Sequence, residues 1–467
     1  MTRRGTVHRS YWILTLIACL AGLQLYAFRW GVITPDTVDQ YGQALTGQYD
    51  DWHPPITTWI WRQLLRIWAG SAGYLVFDLL VYWSAIFIIA HAMARRGWMG
   101  AILVIAVAAA PIPFGQMGAI LKDPLLASFC LLASALIIAN RRDILPLNAA
   151  AGILIVMASA MRFNAPFATM PLLIALLPPR WVSGPVRLVS IVIIAVPALM
   201  LSSWTINVAA LKPHRSEPIF SLVNFDLAGI VAYGGGNVYP QLGSSDAVRL
   251  TRNCYDDRLY NPSNTMLCNI VEDSLMDFSH RTGNGALRIW LAGVMHARLP
   301  YLHHRLAHLN WNWRFLLRDV PKDAFYMMSE PNDLGLKFTP NPITKTILGA
   351  ARAMAWSPFG RPITWLAVAL GLLVIAPVLP SSRHINMLSC SALGYGLAYV
   401  FVSVAPDMRY NLWTIIAAML AAAVALSDLG HGSNSVSKPR LMLATAPVLL
   451  VIVLESIWLL LPNGAVS

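Results

Sequence analysis

Apolar runs of about 17–22 residues, broken by short polar turns, make up most of the chain, and each is long enough to cross a hydrocarbon core about 30 Å thick as a helix. A helix satisfies its own backbone polar groups in lipid, so the class is a polytopic helical membrane protein. The pattern predicts about eleven transmembrane helices, near 11–28, 73–93, 98–114, 124–139, 145–161, 165–177, 186–210, 364–379, 385–404, 412–426 and 441–461. The sixth is short and carries Pro171. Without it every later span would change direction.

Two stretches depart from this pattern. The first, 30–72, contains TPDTVDQYGQALTGQYDDWHPPITTWIWRQLLRIW, starting at Thr34. It reads as a polar loop carrying Asp36, Asp39, Asp50 and Asp51, with Asp36 placed to cap a turn after Pro35. Pro54 and Pro55 then fix an extended entry. Beyond them Ile56, Trp59, Ile60, Leu64 and Ile67 form an apolar stripe opposite Thr58, Arg62 and Arg66, which predicts a helix lying in the membrane interface. The second stretch, 212–361, is a mixed hydrophilic region of roughly 150 residues, long enough for a small domain. Its middle is rich in turn formers. Its later part, ALRIWLAGVMHARLPYLHHRLAHLNWNWRFLL, predicts amphipathic helices on a membrane surface, contacting lipid head groups or acceptor. His304 and His308, four residues apart, share a helix face. The chain thus divides into an N-terminal membrane module (1–211), the region 212–361 and a C-terminal membrane module (362–467).

Composition supports this class: of 467 residues 57% are hydrophobic and only 12% charged. The net charge of +12 excludes nothing alone, but the basic residues flank the spans, and no basic patch with interleaved aromatics points to nucleic acid. With the N-terminus cytoplasmic, one side holds Arg3, Arg4 and Arg9; Arg95 and Arg96; Arg141 and Arg142; Arg180 and Arg187; Arg383; Lys438 and Arg440. That is the positive-inside distribution. The first run is too long for the core of a signal peptide and reads as a retained span. Of five cysteines, Cys19, Cys130 and Cys390 fall in spans. Cys254 and Cys268 fall in the external region, and a pair in an oxidising compartment predicts a disulfide.

Three short turns on the external side break the charge rule. Each carries one cation beside polar partners: Lys122 with Asp123, Arg162 with Asn164, and Arg409 with Asp407 and Tyr410. Snorkelling or local ion pairing would account for each one alone. Together they predict a cationic ring for the phosphate of a lipid.

The first stretch and these turns resemble the GT-C superfamily of integral membrane glycosyltransferases, which includes protein O-mannosyltransferases, lipid A aminoarabinose transferases and oligosaccharyltransferases. The likeness rests on Asp36 just after the first span, Gly47-Gln48-Tyr49 followed by His53-Pro54-Pro55, ILKDPLL, MRFNAPFATMPLL and PDMRYNLW. Two features differ. The large polar region lies between the seventh and eighth spans, and the family's second external acid has three candidates, Asp50, Asp51 and Asp123.

The resemblance implies an all-α GT-C-like fold in a bacterial inner membrane, with a periplasmic site. It implies transfer of a sugar from a polyprenyl-phosphate carrier to a lipid, glycan or protein acceptor. Asp36 would be the general base, and direct displacement would invert the anomeric carbon. Lys122, Arg162 and Arg409 would stabilise the leaving phosphate, with His53 as a further donor and Arg305 as an additional substrate contact. A divalent cation, Mg2+ or Mn2+, could share the phosphate; its ligands are not specified. A lipid-linked glycan transporter or flippase is the alternative, and it predicts ionisable residues at mid-membrane depth, where Asp78 and Glu455 are the exceptions. A polysaccharide polymerase or ligase is another, with its key residues in a later loop.

Overall fold

The computed structural model describes residues 3–140, 142–260, 266–318, 329, 331–430 and 436–461, without the side chains of 3–9, 266, 267 and 269. Arg141 lies outside the described residues, and the side chains of Arg3, Arg4 and Arg9 do too.

Two compact units form. The first comprises Met1–His214, Arg318–Gly396 and Met408–Ser467; the second comprises Arg215–Leu317 and Leu397–Asp407. Among the described residues both are helical, with two isolated bridges and no strand.

The first unit opens with α1 (Arg3–Ala27), α2 (Pro35–Thr46), α3 (Pro55–Leu65), α4 (Ala72–Ala94), α5 (Trp98–Ala109), α6 (Pro111–Gln116), α7 (Lys122–Ala139), α8 (Leu145–Ser159), α9 (Ala165–Leu176) and α10 (Pro185–Trp204). A π-helical turn, Thr205–Ala210, extends α10. The second unit holds α11 (Ile219–Ala232), α12 (Ser244–Cys254), α13 (Met266–Thr282), α14 (Ala286–His296) and α15 (Arg298–Trp313). Then come α16 (Pro342–Trp356), α17 (Pro362–Ile375), α18 (Ser382–Val402), α19 (Leu412–Gly430) and α20 (Lys438–Leu460).

Every predicted span coincides with a helix, but only seven helices are long and apolar enough to cross a membrane by themselves. The expected spans at 98–114, 145–161, 165–177 and 364–379 give shorter apolar helices. The first of these breaks at Ala110, because Pro111 disfavours a helical residue before it. Pro171 does not break α9, which keeps twelve residues.

In the first unit α4 packs against α7, α7 against α8, and α19 against α5 and α17. Buried Tyr82, Ile86, Leu125, Leu131, Ile415 and Leu420 belong to its core. Outward faces remain apolar, as with Ile193 and Ile194 on α10 or Leu449 and Leu450 on α20, which suits lipid as the solvent.

Three expectations change. The acidic stretch is a helix rather than a loop: Thr34 caps α2 in a capping box with Thr37, Pro35 takes the first position, and Gly47 ends the helix at φ 76°. On α3 the buried face runs through Ile56, Thr57, Ile60 and Trp61, while Trp59 and Ile67 of the expected stripe are exposed. Trp61 packs between Tyr41 and Tyr74, which settles which face turns inward. Finally, Arg318 and the described residues from 329 to 361 belong to the first unit, not the second. Asn341 caps α16, and Asn341 and Thr344 bond to Ala27 O at the end of α1.

The second unit has its own core of Phe220, Val223, Leu227, Leu275 and Ile289. Cys254 and Cys268 are joined in a disulfide there. On α14 and α15 Leu287, Leu291, Met295, Leu299, Leu302 and Leu306 are exposed, as an amphipathic surface requires. His304, Arg305 and His308 of α15 point the other way and are buried, so they do not meet lipid head groups. The buried carboxylate of Asp226 draws them in.

Candidate functional site

The site grows from the junction of α1, α2 and α7, all in the first unit. Val32 N–H donates to Gly118 O at 2.9 Å, and Ile120 N–H donates back to Val32 O at 3.2 Å. Thr37 Oγ1 donates to Ile120 O at 2.8 Å. Gly31 (φ 94°) and Gly118 allow the approach: a Cβ on Gly118 would stand 2.2 Å from the Phe28 ring. This stitching sets Asp36, in the first turn of α2, beside Lys122, the first residue of α7.

Lys122 Nζ and His53 Nδ1 are 2.7 Å apart. With the amine donating, neutral His53 carries its proton on Nε2, which faces Asp36 Oδ1 at 3.7 Å, beyond direct hydrogen-bond length. Burial and the nearby Lys122 charge depress the His53 pKa, which favours that neutral form. Arg409 Nη1 donates to Asp36 Oδ2 at 2.7 Å across 373 residues of sequence. Burial raises the Asp36 pKa, but the His53 imidazole, Arg409 and Lys122 outweigh it, and the carboxyl is held well below the usual range.

A second pair lies alongside. Arg162 donates to the buried carboxylate of Asp123, next to Lys122 in sequence. The Arg162 guanidinium lies over the Tyr410 ring, 4.2 Å from its centroid, and Arg409 approaches the same ring at 5.3 Å. Tyr410 therefore links the two guanidiniums. Asn164, at the start of α9, is buried, and among the described residues its Nδ2 finds no partner, nor does Asp123 Oδ2. Buried polar atoms left unpaired are costly and mark positions suited to a ligand.

The structure thus brings together Asp36, His53, Lys122, Asp123, Arg162, Arg409 and Tyr410. Asp50 is engaged otherwise. Its carboxylate accepts Gln43 Nε2 at 2.7 Å and Trp52 N–H at 3.0 Å, and its backbone bridges to His214. Asp51 N–H donates to His214 O in the same turn. These bonds shape the entry to His53-Pro54-Pro55. Arg305 belongs to the second unit, where it holds Asp226 and donates to Ser403 O at 2.7 Å. A side chain so engaged pins that unit together.

Among the described residues no three His, Cys, Asp or Glu side chains gather as a metal site. Asp36 and Asp123 each already hold a guanidinium.

Asn207 escaped sequence reasoning, because a lone Asn near the end of an apolar run carries no motif. It sits in the π-helical turn, buried. Its Oδ1 accepts Ile56 N–H at 2.9 Å and its Nδ2 donates to Ala160 O at 2.8 Å. One side chain thus ties the start of α3, just after His53, to the end of α8, just before Arg162.

No protein-family model matches the chain, and no curated protein matches it in sequence. Solved membrane-enzyme structures are nonetheless similar to it over nearly its whole length. The oligosaccharyltransferase of Archaeoglobus fulgidus, tethered to an acceptor peptide, matches 97% of this chain at 13% identity and a TM-score of 0.32. The oligosaccharyltransferase AglB from the same archaeon, with an inhibitory peptide and a dolichol-phosphate, matches 98% at 14% identity and a TM-score of 0.32. ArnT of Cupriavidus metallidurans, bound to undecaprenyl phosphate, matches 96% at 11% identity and a TM-score of 0.29. The chain spans 56–57% of the archaeal chains and 89% of ArnT. At these scores the likeness carries no functional argument, and the reading of the site rests on its own geometry.

Proposed function

We propose that this protein transfers a sugar from a polyprenyl-phosphate carrier to an acceptor hydroxyl of the cell envelope, at the periplasmic face of a bacterial inner membrane. The observation that carries this reading is the pairing of Asp36 with Arg409 beside His53 and Lys122. It puts a candidate base and a candidate phosphate ligand on one another.

An arriving donor phosphate competes with Asp36 for Arg409 and meets Lys122 and Arg162 as well. Asp36, relieved of Arg409, becomes more basic. It takes the proton of the acceptor hydroxyl as that oxygen attacks the anomeric carbon. The bond from that carbon to the phosphate oxygen breaks, and its electron pair leaves with the carrier phosphate. The guanidiniums and the Lys122 amine stabilise the charge gained. Lipid-phosphate sugar and alcohol become glycoside and lipid phosphate, with inversion at the anomeric carbon. The His53 imidazole beside Asp36 helps keep that carboxylate ionised, and Tyr410 keeps both guanidiniums on the leaving group. The acceptor is a lipid, a glycan or a protein.

The test is mass spectrometry of envelope glycans from three strains: a deletion, its wild-type complement and an Asp36→Asn complement at equal protein level. Loss of a sugar mass that the wild type restores and Asp36→Asn does not is the expected result. Full restoration by Asp36→Asn removes Asp36 as the base.

A further inference from the structure

A polar cavity lies at the end of the first unit's bundle opposite the Asp36 cluster. The Asp36 cluster uses the first residue of α7; this cavity opens where α7 ends, eighteen residues on and about 27 Å along the helix axis. It encloses about 450 Å³ between the ends of α4, α7 and α9 and the starts of α8 and α18. That volume lies within the range of small-molecule sites.

The wall is divided by chemistry. Ile138 and Leu177 represent its apolar part, and Arg96, Arg383, His384, Asn140, Asn148 and Asp143 its polar part. The polar groups are held in place. Arg96 donates to Ser381 and to the buried carboxylate of Asp428, at 3.2 Å in the latter case. Asp428 is fixed in turn by Ser381 N–H at 2.7 Å. Arg383 donates to Ala175 O, in the last turn of α9. Asn148 Nδ2 donates to Asp143 Oδ1, and Asn148 Oδ1 accepts Asn140 Nδ2 at 2.8 Å. Asp143 is thus tied to an amide, and among the described residues no carboxylate pairs with Arg383. A guanidinium has five N–H groups, and the bonds described engage one nitrogen of Arg96 and one of Arg383.

We propose that this cavity binds a phosphate headgroup, with Arg383 and Arg96 on the phosphate oxygens and the apolar wall against the first methylenes of an attached chain. It is a site separate from the Asp36 cluster. Planar guanidiniums suit phosphate oxygens, and an apolar wall beside them suits an amphiphile better than a bare ion. Asp143 and His384 admit a headgroup that also carries a hydroxyl or an amine.

The test titrates dioctanoyl phosphatidylglycerol, and separately inorganic phosphate, into the full-length protein in neutral detergent by calorimetry. The Asp36 cluster would also take phosphate, so Arg409→Gln serves as the background. In that background saturable lipid binding persists, and Arg383→Gln weakens it by about tenfold, the loss of a charge-assisted contact. Leu177→Trp, which fills the cavity and leaves its charge alone, weakens it as well. Phosphate that displaces the lipid at matching affinity identifies the free ion as the ligand; failure to displace it identifies the lipid headgroup. Either result supports the site. Saturable binding unaffected by both Arg383→Gln and Leu177→Trp overturns it, and so does the absence of saturable binding in the Arg409→Gln background.

Discussion

At the scale of single residues, the site depends on which charges neutralise one another before substrate arrives. Asp36 is ionised because His53, Arg409 and Lys122 together outweigh its burial. Removing Arg409 raises the Asp36 pKa, so the carboxylate needed as base is lost at a higher pH. Arg409→Gln is therefore expected to move the acidic limb of kcat/KM upward in pH, along with weakening transfer. That limb reports the free enzyme. A pH–rate profile of the purified protein checks it, and an unshifted limb would show that Arg409 does not tune Asp36. His53 illustrates what spacing cannot reveal. It stands beside Pro54-Pro55 in sequence, but its tautomer follows from Lys122, 69 positions away.

At the scale of elements, pairs of helix ends are held by a few buried bonds. Asn207 is the clearest case, since its amide serves both the start of α3 and the end of α8. Asn207→Leu leaves Ile56 N–H and the Asn207 contact of Ala160 O unmet, at a cost of about 1–3 kcal/mol for each buried group. A lower melting temperature in detergent and slower transfer are expected together. Asn207→Asp, which sets a buried carboxylate oxygen against Ala160 O and Ser203 O in place of a donor, should recover neither. A melting temperature unchanged in Asn207→Leu would refute the clamp. The π-helical turn places this side chain, and such turns recur at functional sites. The acidic stretch was legible as a polar segment bounded by Pro35 and Gly47, yet it folds as a helix because Thr34 and Thr37 close a capping box.

At the scale of the whole molecule, two units carry different chemistry. The first has Asp36 and its partners at one end of its helices and the Arg383 cavity at the other. The second is organised on Asp226, which accepts Trp290 Nε1 at 2.6 Å, His304 Nε2 at 2.9 Å and Arg305 Nη2 at 2.7 Å. Burial pushes the His308 pKa down to about 3 and lowers that of His304. Unfolded histidine titrates near 6.5. The unfolded state therefore binds more protons as pH falls below about 6.5, and stability present above that pH is lost toward about 3. Asp226, whose pKa is lowered because Arg305 and His304 outweigh burial, adds a loss of the same sign at lower pH. Amide protection in α11 and α15, corrected for intrinsic exchange, should fall between pH 7.5 and 5. His308→Gln should flatten that fall. Protection independent of pH would contradict the linkage.

Much of this was determined by the sequence alone. Apolar runs of bilayer length dictate an all-helical membrane protein, because lipid offers backbone groups no other partner. The isolated cations at 122, 162 and 409 are visible because each stands in a short polar turn between apolar runs. What tertiary structure alone decided is pairing. Nothing in a one-dimensional pattern says that Arg409 reaches Asp36, 373 residues away, or that Arg162 takes Asp123. Nor does the helical period of α15 say whether His304 and His308 face lipid or a buried Asp226. Hydrophobic periodicity records how much surface each helix hides. Which polar group it meets there depends on packing between segments hundreds of residues apart.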